Sequence, residues 1–162
     1  MIDKPRYGHA CSFKDLEVYL IAQDISRKIF ARSKEFPKEE RYALTDQIRR
    51  ASRSVGAQIA EAWAKRKYRK HFISKLSDAD AEQMETQHWV QQAFQCGYLC
   101  EESAKEILEE LERLGRMLNS MMKKAGEFCR SNAGSISECT DYYGYPSDAL
   151  STGISALALK SQ

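Results

Sequence analysis

The feature that most constrains the fold is a run in which Ile107, Leu111, Leu114, Leu118, Met121, Ala125 and Phe128 recur at alternating steps of four and three. That spacing is the seam of an α-helix packed lengthwise on other helices. A strand, with its period of two, has no use for it. Glu101 and Glu102 open the segment, where carboxylates meet the positive end of the helix dipole. A helix with one long apolar face buries it only by finding partners of similar length.

Three earlier segments supply those partners. Residues 13–34 carry Leu16, Tyr19, Leu20, Ile25 and Ile29 as a broad apolar stripe. Phe36-Pro37 ends that helix, because proline disfavours helical geometry in the residue before it and starts a new helix well. Residues 38–65 place Leu44, Ile48, Ala51, Val55, Ile59 and Ala62 on one face, and the small Ser52, Ser54, Gly56 and Ala57 suit close approach of a neighbour. Residues 68–95 carry Phe72, Leu76, Ala79, Trp89 and Ala93, and stop at Cys96-Gly97, a natural C-terminal end. Long amphipathic helices joined by short links predict an all-α, antiparallel up-down four-helix bundle over residues 13–129. Residues 1–12 read as an N-terminal extension. Residues 130–162 hold seven serines, three glycines and one proline, and read as a flexible tail in which Leu150, Ile154, Leu157 and Leu159 allow a short terminal helix.

A chain of 162 residues suits one core. No apolar run approaches the roughly 18 residues of a membrane span, and the first residues lack the apolar segment of a secretory signal. The expected location is cytoplasmic. Five cysteines make an odd number without a framework spacing. Cys96 and Cys100 lie a helical turn apart, but Gly97 stands between them and no second pair completes a zinc site, so free thiols are expected.

Charge is strongly segregated although the net charge is only +2. Residues 47–77 hold nine basic side chains against Glu61 alone, a net of +8; residues 78–112 hold ten acidic side chains against Lys105, a net of −9; residues 113–130 return to +4. Arg49, Arg50, Arg53, Lys65, Arg66, Lys67, Arg69 and Lys70 form the candidate nucleic-acid-binding set, clustered around the turn between the second and third helices and back along the second. Such a patch attracts phosphate backbones in a salt-dependent way. The competing reading is that the basic block pairs with the acidic one, within a subunit or between copies, and serves assembly.

Catalysis has little to stand on. Glu85 and His88 form a single Glu-x-x-His pair of the kind that di-iron bundles use twice, and Glu61 is a further candidate ligand. The second pair is missing, since His9 precedes the bundle and Tyr68 stands three residues before His71. Carboxylates near helix interfaces also commonly pair with arginines such as Arg49 or Arg50. No phosphate loop, nucleophile elbow or Cys-His couple is present. No metal, no cofactor and no enzymatic activity are expected.

Several stretches are similar to one known family. They are Phe36-Pro37-x-x-Glu40, the run from Leu44 through Arg49-Arg50-Ala51-Ser52-Arg53 to Val55, Ile59-Ala60-Glu61-Ala62-Trp63, Lys75 to Glu82, Glu85-Thr86-Gln87-x-Trp89, and Cys96-Gly97-Tyr98-Leu99. Together they resemble the four-helix bundle, or 23S rRNA intervening-sequence, protein family over roughly residues 13–129. The chain departs from the family pattern at Gln58, where asparagine is frequent, and at Ala62, where glycine is. The resemblance implies a homo-oligomer, a ring of five bundles, with no assigned enzymatic activity. A distant relation to the accessory protein of diversity-generating retroelements implies binding of RNA or DNA, and of a reverse transcriptase, through basic surfaces. The expected function is therefore a non-enzymatic oligomer that binds nucleic acid. The alternative is a protein-interaction scaffold whose tail docks a partner.

Overall fold

A computed structural model describes residues 10–129, and all of them outside turns and caps are helical. Four long helices, α1 (Glu17–Arg32), α2 (Leu44–Ala64), α3 (Arg69–Gln95) and α4 (Glu101–Lys123), are followed by a single turn, α5 (Ala125–Phe128). The expected N-terminal extension up to residue 9 and the expected tail over 130–162 lie outside the described residues.

Contacts between side chains fix the topology. Ser33 meets Arg49 and Tyr19 meets Gly56 across α1 and α2. Lys75 meets Gln58 and Glu61 across α2 and α3. Asp80 meets Asn119, and Gln83 lies against Gly115, across α3 and α4. Glu17 meets Arg113, and Lys28 meets Glu106, across α4 and α1. Every pair runs in opposite directions, and α1 touches both α2 and α4, so the four helices close in chain order around one core. This is the up-down bundle expected from the seams.

The core is made where those seams meet. Ile25, Ile29, Ile48, Val55, Ile59, Phe72, Leu76, Ile107, Leu111, Leu114 and Leu118 are all buried. Fully burying an aliphatic side chain of this size contributes about 1.5–3 kcal/mol, which outweighs the weak intrinsic preferences of helices for length and cap. The α4 seam runs buried through Ala125, and Phe128 continues it by stacking on Phe72 with ring centroids 5.8 Å apart.

Three local expectations are corrected. Residues 13–34 are not one helix. Ser12 and Asp15 form a capping box on a 3-10 turn (Phe13–Asp15), Leu16 is extended, and α1 begins at Glu17. Residues 38–43 are likewise not α-helical. A 3-10 turn (Lys38–Glu40) leads to α2, whose start at Leu44 is capped by the Glu40 carboxylate, which accepts from the Leu44 amide at 3.3 Å and from the Tyr98 hydroxyl at 3.2 Å. An early side chain that caps both a helix and a distant loop cannot also lie inside that helix. Finally, Leu20 is not in the α1 core but 53% exposed, and Val18 and Ala22 are buried in the same helix.

Candidate nucleic-acid interface

The α2–α3 turn is built by short backbone bonds. The Lys65 amide donates to the Glu61 and Ala62 carbonyls, Arg66 to Trp63 at 3.3 Å, and Tyr68 to Lys65 at 2.9 Å. Five basic residues fall in or beside this tight reversal, so the fold gathers Lys65, Arg66, Lys67, Arg69 and Lys70 at one end of the bundle. Arg66 is held in place. Its guanidinium lies 4.1 Å from the Trp63 ring centroid and donates to the Trp63 carbonyl at 2.7 Å. The other four are exposed, as is Tyr68, whose ring meets His71 edge-on.

The electrostatics at the start of α3 run against the helix. Its first turn contains no acidic residue and Tyr68 offers no side-chain cap, while Arg69 and Lys70 stand where the helix dipole is positive. Lys65 and Arg66, at the end of α2, are favourably placed against carbonyls. Only half of the turn is therefore explained by helix stability.

The remaining members of the expected set lie elsewhere. Arg53 is twelve residues before Lys65 along α2, about 18 Å at the α-helical rise. Arg49 and Arg53 lean toward α1, with their guanidinium carbons 5.0 and 5.7 Å from the Phe30 ring centroid. Arg50 pairs with Asp46 at 3.8 Å on an exposed face and lies near enough to Glu82 to act on its charge. The eight residues thus divide into a hairpin group of five, a pair at the α1–α2 crevice (Arg49 and Arg53), and Arg50, which faces neither.

Pairing between the blocks inside one subunit is sparse. Lys75 bridges Glu61 at 2.9 Å and Asp78 at 3.3 Å. Among the described residues, Lys65, Arg66, Lys67, Arg69, Lys70, Arg49 and Arg53 make no ion pair, and neither do Glu101 and Glu102. The candidate ligands of a metal site are not gathered. Glu85 accepts from the Trp89 indole at 3.1 Å, His88 packs edge-on against the same ring, and Glu61 is held by Lys75. Among the described residues no group of three or more His, Cys, Asp or Glu is placed to hold a metal ion. No described helix is long and apolar enough to cross a membrane.

The model of the 23S rRNA-intervening sequence protein family matches residues 14–120, which covers all four long helices except the last turn of α4. The chain belongs to that family. A solved structure from Bacteroides thetaiotaomicron VPI-5482, described as a protein with unknown function from the S23 ribosomal protein family, has the same fold. It is 27% identical, aligns over 65% of this chain and 98% of its own, and superposes with a TM-score of 0.60. No curated protein matches the sequence significantly. For this member of the intervening-sequence family, Glu40 of the Phe-Pro-x-x-Glu motif is the α2 cap, and Ile59, Ala62 and Trp63 of the Ile-Ala-Glu-Ala-Trp motif are core. Those motifs therefore mark the fold, whereas the exposed cations of the hairpin lie outside them.

Proposed function

We propose that this protein is a non-enzymatic homo-oligomeric bundle that binds structured RNA or duplex DNA through the basic α2–α3 hairpin. One observation carries the reading. Lys65, Lys67, Arg69 and Lys70 are exposed, Arg69 and Lys70 stand in a helix first turn that repels them, and no carboxylate of the described subunit pairs with any of the four. A phosphate there meets both the side chains and the free amides of the helix end, which is why helix N-termini serve as anion sites. The family description, which refers to sequences within 23S rRNA, supports RNA as the polyanion. Repetition of the hairpin around a ring raises apparent affinity by effective concentration, so weak individual contacts suffice.

The test is a fluorescence-anisotropy titration with a hairpin RNA and a duplex DNA at several salt concentrations. Binding that weakens steeply with salt is expected. In Arg66→Glu/Arg69→Glu the loss of two phosphate contacts flattens the logarithmic salt slope by about 2 and weakens binding at least tenfold, with the helical circular-dichroism signal unchanged. Unaltered binding in that variant refutes the assignment. A second reading, charge pairing between copies, draws on Glu101 and Glu102, which are exposed and also without an ion pair in the described subunit. It predicts that the same variant falls apart into smaller species on size exclusion while the wild type ignores nucleic acid.

A further inference from the structure

A second cationic site lies along the crevice between α1 and α2. Phe30 is 41% exposed near the end of α1, and three cations surround its ring. Lys34 Nζ stands 4.9 Å from the centroid, with the Arg49 and Arg53 guanidinium carbons at 5.0 and 5.7 Å. Arg49 is fixed there, because its Nε donates to the buried Ser33 hydroxyl at 2.7 Å, which in turn donates to the Phe30 carbonyl at 3.2 Å. None of the three cations makes an ion pair among the described residues. Their mutual repulsion is not cancelled by sharing one ring, since a cation–π contact leaves each charge in place. A bound anion would cancel it.

The cluster opens into a trench. Arg53 also borders a cavity of about 500 Å³ that follows the α1–α2 crevice past Arg27 and Gly56 to Tyr19 and Phe13. The trench exists because Gly56 and Ala57 are small; a Cβ at Gly56 would already meet the Tyr19 ring at 3.6 Å. Tyr19 and Phe13 stand edge to face with centroids 4.8 Å apart. The rings of Phe13 and Tyr19 thus stand at one end of the cavity and Arg27 and Arg53 at the other, and Arg53 joins it to the Phe30 cluster; the rise of α1 from Tyr19 to Phe30 is about 16 Å. That combination suits an unpaired strand, whose phosphates take the charges and whose exposed base faces take the rings; a duplex hides those faces.

We propose that the α1–α2 trench holds a single-stranded segment of nucleic acid, with Lys34, Arg49 and Arg53 on a backbone phosphate and Phe30 against a base. The proposal rests on the nucleic-acid reading above but assigns a different surface and a different form of the ligand. It makes the protein a reader of junctions, with duplex at the hairpin and unpaired strand in the trench.

The experiment titrates the full chain with a uridine oligomer and with a duplex of the same length, comparing wild type, Phe30→Ala and Phe30→Tyr, with light scattering on each. Phe30→Ala weakens oligomer binding about tenfold, Phe30→Tyr restores it, and duplex binding and oligomeric mass stay unchanged. Equal effects on both ligands, or none on either, overturn the trench while leaving the hairpin assignment intact. A wild type that binds neither ligand overturns both readings. A change in oligomeric mass with Phe30→Ala overturns the trench in favour of a second copy of this chain as its occupant, and a lowered melting temperature with unchanged binding shows that the cations merely cover the ring.

Discussion

Glu82 sits half-buried on α3 between unlike neighbours. Desolvation raises its pKa first, repulsion from Glu85 adds to that, Arg50 pulls the other way, and Asp78 contributes least. A carboxyl whose folded pKa lies above its unfolded value destabilises the fold when it is ionised. The penalty is full above the folded pKa, shrinks as pH falls through it, and is gone below the unfolded value near 4.3. Glu82→Gln is accordingly expected to raise the melting temperature at neutral pH and to match the wild type below about pH 4, as thermal melts across the range would show. Lys28 is the opposite case. Hydrogen bonds to Glu106 and then Glu110, each at 2.7 Å, hold its pKa well above the ordinary lysine value. Its contribution is complete below about pH 10.4 and lost only in strong alkali. At this scale the sequence was partly legible. Basic residues at 65–70 announce themselves as a run, but the Phe30 cluster joins residues from two helices, and only the four-residue step from Phe30 to Lys34 hinted at it.

Among the helices, α3 holds the least obvious seam. Its buried positions are Phe72, Leu76, Ala79, Gln83, Thr86, Val90 and Ala93, the same alternation of four and three as α4. A search for apolar residues alone misses the two polar members in the middle and substitutes Trp89, which is only partly buried. Both polar side chains are satisfied where they stand. Thr86 donates back to the Glu82 carbonyl at 2.8 Å, and Gln83 donates to Asp80 and accepts from Gln87. Gly115 on α4 is the counterpart, since a Cβ there would come within 2.7 Å of the Gln83 amide nitrogen. A glycine in a helix interior costs about 1 kcal/mol relative to alanine, so room for Gln83 is kept at that expense. Gly115→Ala should therefore stabilise the Gln83→Ala background by about 1 kcal/mol and help the wild type much less. A double-mutant cycle by chemical denaturation measures the difference, and additive effects would refute the steric link. The departures at 13–16 and 38–43 both rest on side-chain bonds that apolar periodicity does not register: Asp15 closes a 3-10 turn ahead of α1 by accepting from the Ser12 amide, and Glu40 caps the start of α2.

For the molecule as a whole, chain order and link length were enough to give the topology, because a short link leaves a long helix only one direction in which to return. Assembly is a different matter. Nothing in one subunit's periodicity counts copies, and the ring of five comes from family resemblance. If that proposal holds, light scattering returns about five times the 18.6 kDa chain mass at moderate salt, and a monomer would refute it.

The alternation of helix direction has one more consequence. Antiparallel neighbours cancel their backbone dipoles in pairs, so any axial field of the bundle must come from side chains. The α2–α3 turn and the end of α4 place Lys65, Arg66, Lys67, Arg69, Lys70, Lys123 and Lys124 at one pole, where Lys14 joins them and Asp15, Glu17, Glu61 and Glu127 offset only part of the charge. At the other, Glu35, Glu39, Glu40, Glu101 and Glu102 stand against Lys34, Lys38 and Arg41 and nearly balance them. The described bundle thus has a positive pole that the chain's net charge of +2 does not reveal. A polyanion near such a bundle would exert a torque before contact and turn the hairpin toward its phosphates, as the proposed function requires.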